Sequence, residues 1–251
     1  MLCYTRQVST VTSHVAIQER LQAVQQRIDT AACKVGRSAS TVTLIAVTKT
    51  QPLDAVSEAL SAGIRDLGEN RVQDLVQRVT DLPDAASCRW HLIGHLQRNK
   101  AKKAVRVGST IHSIDCLDLA RLVGLEAGAF GRSVDVFAQV NVSGEPAKYG
   151  FSTVELREQA RELATIPFLR WRGLMTIAPE HADTSELRAV FASLRHLRDE
   201  LVTIFDAGTW NSLSMGMSND FEIAIEEGAT HIRVGRAIFG DRPAVPTGGH
   251  S

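Results

Sequence analysis

Apolar and polar positions along this chain follow two periods that take turns. From about His14 to Val35 the spacing is helical, with Val15, Leu21, Val24 and Ile28 on one stripe and Gly36 placed to stop the helix. Short apolar or β-branched runs then occur at 42–48, 64–67, 89–93, 110–114, 134–142, 169–176, 209–213 and 230–234. Between them lie helix-period segments at about 53–61, 71–79, 98–106, 116–128, 152–164, 184–202 and 219–227. The run from Val134 to Val142 alternates faces as a strand does, and Leu187, Val190, Phe191, Leu194, Leu197 and Leu201 recur at helical steps. Eight such units in this length predict the α/β class and a single (β/α)8 TIM barrel, with one extra helix ahead of the first strand. An open doubly wound sheet is the rival, but it brings fewer units and a glycine-rich first turn. Here that turn reads Thr48-Lys49-Thr50-Gln51-Pro52. The barrel domain is expected over 14–241, between a frayed or disordered start, 1–13, and a flexible Pro- and Gly-rich tail, 242–251.

Composition narrows the partners. With 251 residues and 44% hydrophobic content, the chain fills a core of barrel size. Its 28 basic and 28 acidic residues cancel, and aromatics make up 5%, too few for a base-stacking platform. Nucleic acid is therefore not an expected partner. No apolar stretch reaches membrane-spanning length, and the start lacks the apolar core of a secretory signal. Cys3, Cys33, Cys88 and Cys116 are widely spaced, so free thiols in a reducing, cytoplasmic setting are expected.

Chemistry in a barrel of this kind collects at the C-terminal ends of the strands. Lys49 closes the apolar run Leu44-Ile45-Ala46-Val47-Thr48. Apolar walls would press its ammonium toward the neutral amine, the form that condenses with an aldehyde. The plainer alternative is a strand-end lysine with its stem on the core and its head in water. At the other end of the chain, Ser214-Met215-Gly216-Met217-Ser218 leads toward a helix, with Ser218 or Asn219 as a natural N-cap, and Gly235 opens a further turn. Loops after the seventh and eighth strands of this fold recurrently bind a phosphate; the alternative is two ordinary turns whose serines cap helices. A lysine facing a phosphate cup points to pyridoxal 5′-phosphate. Arg233 lies just inside the cup, facing the pyridine ring or paired with Glu69 or Asp220. His91 and His95 share a strand-like spacing, but no acidic residue flanks them as in H-E-x-x-H, so no metal site is expected.

Six motifs in order carry a resemblance. They are Ala46-Val47-Thr48-Lys49-Thr50; Gly68-Glu69-Asn70; Trp90-His91-Leu92-Ile93-Gly94 with Leu96-Gln97 and Asn99-Lys100; Arg172-Gly173-Leu174-Met175; Ser214-Met215-Gly216-Met217-Ser218; and Ile232-Arg233-Val234-Gly235 with Ala237-Ile238-Phe239-Gly240. Together they resemble the signatures of the pyridoxal phosphate homeostasis proteins (the YggS/PROSC family). The resemblance implies a barrel similar to the N-terminal domain of alanine racemase, with the cofactor held as an internal aldimine on Lys49. It implies phosphate contacts from the Ser214–Ser218 loop, Met217 included, and from the backbone of Gly235 and Arg236. Arg233 would approach the ring nitrogen, while Asn70 and His91 line the ring and its 3-hydroxyl side. Thr48 stands where the family usually has Ser, and Gln51 where it usually has Lys, which removes a charge near the mouth.

Arg233 also bears on turnover. A carboxylate at the pyridine nitrogen keeps the ring protonated and strongly electron-withdrawing, whereas an arginine accepts no proton. Racemases with an arginine there draw a tyrosine from a second domain. Only Tyr4 and Tyr149 are present here, and the chain ends shortly after the eighth strand, so a monomer is expected. Tyr149 reads as a lid over the mouth, or as an acid–base group. A non-catalytic carrier is therefore expected, one that buffers pyridoxal phosphate and hands it to PLP-dependent apo-enzymes. A slow racemase with Lys49 as sole base is the runner-up, and a regulatory module whose loaded state a partner reads is the third possibility.

Overall fold

The computed structural model describes residues 4–145, 147–205 and 208–240, with side chains from residue 16 onward. Eight parallel strands close in chain order: β1 (Thr43–Val47), β2 (Asp66–Glu69), β3 (Arg89–Leu92), β4 (Thr110–Ile114), β5 (Val134–Gln139), β6 (Leu169–Met175), β7 (Ser212–Met217) and β8 (His231–Val234). The register Ala46 to Val234 joins β1 to β8, so the sheet has no edge and the open-sheet alternative is excluded. Ahead of β1 runs α1 (Tyr4–Lys34). After the strands, in turn, come α2 (Leu53–Ser61), α3 (Val72–Asp81), α4 (Ala101–Val107), α5 (Leu117–Ala129), α6 (Thr153–Thr165), α7 (Thr184–Val202), α8 (Phe221–Glu226) and α9 (Arg236–Phe239).

Local chemistry sets several helix starts. Ser152 and Glu155 form a reciprocal capping box at α6, and Asp183 with Glu186 does the same at α7. Each such cap is worth about 1 kcal/mol. The backbone of α1 is helical from Tyr4, ten residues ahead of the stripe that predicts it, because extending a helix costs little once a packed segment has nucleated it. The expected tail, 242–251, lies outside the described residues, as do residues 1–3 of the expected frayed start.

Two strands sit further along the chain than their hydropathy suggests. The second, expected at 64–67, is Asp66–Glu69, and the seventh, expected at 209–213, is Ser212–Met217. The reason is the same in both. One face of each strand packs on the helices through Leu67, or through Leu213 and Met215, while the other carries polar or small residues into the barrel. A buried polar face lowers the apparent hydrophobicity of a strand that is fully inside.

The barrel interior is that polar face. His112 on β4 reaches Ser214 on β7, three strands away, a contact that only the interior permits. The Phe137 ring of β5 stacks on His112 at 4.4 Å and meets His231 of β8 edge-on at 5.2 Å. Outside, Ala46, Leu92, Ile111, Val136, Leu174 and Ile232 join the helices in one continuous apolar core.

Candidate functional site at the C-terminal mouth

Lys49 lies two residues past the end of β1 and is half-buried, and Thr50 after it takes φ +63°, a left-handed conformation that a β-branched residue adopts only under constraint. The constraint comes from below. Arg78 of α3 donates to the backbone oxygens of Thr48, at 3.1 Å, and of Gln51, so it staples both ends of the Lys49 turn. Its Nε also donates to Glu69 at 3.3 Å, and the Thr48 hydroxyl donates to the same carboxylate oxygen at 2.6 Å. Glu69 is fully buried, and among the described residues its Oε2 is the one buried side-chain N or O without a hydrogen-bond partner. Burial pushes its carboxyl up, against the Thr48 hydrogen bond and the Arg78 charge.

Beside it, β8 ends in Val234 and the chain turns through Gly235 into α9. The backbone N–H groups of Gly235 and Ala237 both point at the Ser218 hydroxyl, at 3.3 and 3.5 Å. Neither Ser218 nor Asn219 caps α8: Asp220 occupies that position, and its carboxylate accepts from the Met217 N–H. Ser218 instead bridges the loops after β7 and β8. Gly216 makes this possible, because at φ +93° a Cβ would stand 2.6 Å from the Ala224 methyl of α8. Met217 is exposed at the tip of β7, and Arg236 is exposed on α9.

Arg233 is buried in β8, two residues before Gly235. It donates through Nη1 to Ser214 Oγ at 2.7 Å and through Nη2 to the Thr176 carbonyl at 2.8 Å. Burial lowers the guanidinium to about 10, with Asp220 acting the other way, so it stays cationic at neutral pH. Of the two alternatives for an ion pair, Asp220 supplies the charge, while Glu69 belongs to Arg78. Ser214 is no part of a loop. It lies inside β7, fully buried, and its hydroxyl is shared between Arg233 and His112, so it supports the arginine and stands apart from the Ser218 cup.

His91 is likewise an interior residue. Nδ1 meets His112 Nε2 at 2.9 Å and Nε2 meets Asp66 Oδ1 at 3.0 Å, so both ring nitrogens are committed within the barrel, away from the ring-lining role that the resemblance implies. Asn70 does stand at the mouth, where β2 meets the turn after β3. A Cβ on Gly94 would fall 2.2 Å from the Asn70 carbonyl, so the approach requires glycine. His95 is exposed, pairs with Asp115 at 3.1 Å and carries the Tyr149 ring stacked at 3.8 Å. His91 and His95 therefore face different surroundings, and among the described residues no group of three His, Cys, Asp or Glu could hold a metal. No described helix is long and apolar enough to cross a membrane.

Asp66, His112 and Arg78 are the residues that sequence reasoning missed. For the first two the signal was present: a polar side chain within a strand buried on both faces needs a partner inside the barrel. Arg78 had no such signal, since its surroundings arise only when α3 folds back beneath the mouth.

Residues 20–243 match the family of the alanine racemase N-terminal domain. The chain is 41% identical over 226 residues to the pyridoxal phosphate homeostasis protein of Pseudomonas aeruginosa, spanning 90% of this chain and 96% of that one. It superposes on PipY of Synechococcus elongatus, solved with PLP bound, with a TM-score of 0.79 at 38% identity, covering 89% of this chain and all of PipY. Alanine racemase of Clostridium difficile shares the fold at 12% identity and a TM-score of 0.72, over 91% of this chain but 57% of the racemase. By fold, by sequence and by the extent of the match, the chain belongs to the pyridoxal phosphate homeostasis protein family, built on the alanine racemase N-terminal barrel.

Proposed function

We propose that this protein binds pyridoxal 5′-phosphate at the mouth of the barrel and acts in its homeostasis, holding the cofactor reversibly and supplying it to PLP-dependent apo-enzymes. When bound, the cofactor supplies an aldehyde that condenses with a primary amine, a pyridine ring and a phosphate. The observation that carries the reading is the convergence of the Gly235 and Ala237 N–H groups on Ser218, one strand from Lys49 and two residues past Arg233. Those N–H bonds exceed the usual 2.9–3.0 Å or so, which leaves the donors room for a second acceptor such as a phosphate oxygen. The donor set fits the group: a primary amine for the aldehyde, an N–H cup for the phosphate and a buried cationic guanidinium for the ring. Lys49 would hold the aldehyde end, Ser218, Gly235 and Arg236 the phosphate, Arg233 the ring nitrogen, and Asn70 and Met217 the rim.

The same residues favour carriage over turnover. Arg233 offers donors only, so it leaves the ring without the proton that makes it a strong electron sink. Tyr149, the one candidate acid–base tyrosine near the mouth, lies flat on His95, as a lid does. A reducing, cytoplasmic setting agrees with the unpaired Cys33, Cys88 and Cys116.

The test uses the full chain. Incubation with pyridoxal phosphate followed by borohydride should place a stable adduct on the Lys49 peptide, and the untreated complex should restore activity to an apo-enzyme. Label on another lysine would overturn the site. Enzyme-like deuterium exchange at Cα of L-alanine, abolished in Lys49→Ala, would overturn the carrier reading.

A further inference from the structure

A file of polar side chains crosses the barrel from the Arg233 side to the opposite rim. Arg233 Nη1 meets Ser214 Oγ at 2.7 Å, Ser214 Oγ meets His112 Nδ1 at 2.8 Å, His112 Nε2 meets His91 Nδ1 at 2.9 Å, and His91 Nε2 meets Asp66 Oδ1 at 3.0 Å. Asp66 is anchored in turn by Arg89, whose Nε donates at 2.7 Å. Asp66, His91, His112, Ser214 and Arg233 are all buried. The barrel thus devotes its central volume to a polar file, where apolar side chains ordinarily stack in layers.

The chemistry of the two ends dictates the direction of every bond. A guanidinium only donates, and a carboxylate only accepts. With both imidazoles neutral, Asp66 requires a proton on His91 Nε2, which leaves His91 Nδ1 as an acceptor. His112 must then carry its proton on Nε2 and accept at Nδ1. Ser214 completes the file by donating to His112 while accepting from Arg233. With both rings neutral, no other arrangement satisfies all four contacts. Burial, reinforced by His91, His231 and Arg233, holds His112 well below its ordinary value and hence neutral, while Phe137 stacks on its ring. Hydrogen bonds aligned in one sense polarise each other, so the Ser214 oxygen is a stronger acceptor for Arg233 than an isolated hydroxyl.

We propose that Asp66, His91, His112 and Ser214 are positioning residues, a one-way hydrogen-bond relay that holds Arg233 as a fixed donor at the floor of the cofactor site. The inference rests on the proposed function, since a guanidinium locked in this way presents N–H groups to the pyridine nitrogen and keeps it unprotonated. It adds a cause for that arginine's orientation, carried by side chains of β7, β4, β3 and β2.

The experiment is histidine ¹⁵N nuclear magnetic resonance on the full-length protein, cofactor-free and cofactor-loaded, paired with absorption spectra of the loaded protein. His91 and His112 should both appear as Nε2–H tautomers at neutral pH in either state. Ser214→Ala should abolish the fixed tautomer at His112 and shift the cofactor band or its pH dependence, and Ser214→Thr, which keeps the hydroxyl, should restore both. A proton on His112 Nδ1 in the parent protein overturns the relay without any variant being made. A Ser214→Ala band that coincides with the parent's at every pH overturns it as well. Should the parent take up no pyridoxal phosphate, the proposed function fails, and the tautomers of the cofactor-free protein still decide the relay.

Discussion

The Thr48 hydroxyl donates to Glu69 Oε1 across 2.6 Å, directly beneath the turn that carries Lys49. Because Glu69 Oε2 has no partner, the carboxyl depends on Thr48 and Arg78 alone. Thr48→Val should cost roughly 1–3 kcal/mol, the usual penalty for stranding a buried polar atom. The folded value of Glu69 lies above its ordinary one, so its contribution to stability is present at low pH and lost as pH rises through that value. Glu69→Gln should therefore gain on the parent protein with increasing pH, as read by urea unfolding across a pH series.

Asp66 has the opposite sign. Although burial raises it, hydrogen bonds from His91 and Arg89 outweigh that and hold its carboxyl at about 2. A folded value below the unfolded value of about 3.9 stabilises the fold by roughly 2 kcal/mol above that pH, and the gain is lost as pH falls toward 2. Asp66→Asn should flatten this part of the acid limb in the same unfolding series.

Lys49→Ala should abolish the borohydride-trapped adduct while weak phosphate-driven uptake persists. Arg233→Ala should leave the adduct and shift its absorption band. Peptide mass and absorption spectra check the pair, and an unshifted band at every pH would remove Arg233 from the ring.

Gly216→Ala puts a methyl 2.6 Å from the Ala224 methyl at φ +93°, so both space and backbone oppose it. A loss of roughly 1–3 kcal/mol is expected from the backbone strain alone. The measurement is the urea midpoint together with cofactor affinity, since the Ser218 bridge leaves from the same junction.

Tyr149→Ala removes the stack on His95, worth about 0.5–1.5 kcal/mol, and should speed cofactor release by about two- to tenfold. Stopped-flow transfer to an apo-enzyme measures it, and an unchanged rate would remove the lid.

Much was legible in the chain itself. The alternation of periods determined the eight units and their order, because strands between helices repeat what each face must bury. Lys49, Ser218, Gly235 and Arg233 stood out because a strand end in a barrel is a place where polar residues have work to do. Tertiary closure decided the rest. Ser214 looked like a neighbour of Ser218 but lies deep in the barrel, since β7 extends to Met217 and brings Ser214 level with His112 and Arg233 while Ser218 falls past the strand's end. His91 looked like a wall of the mouth, yet β2 and β4 bring Asp66 and His112 to its two nitrogens. Those partners lie 25 residues before it and 21 after it. Local spacing carries no record of such pairs, because the closed sheet alone sets which inward-facing residues share a level.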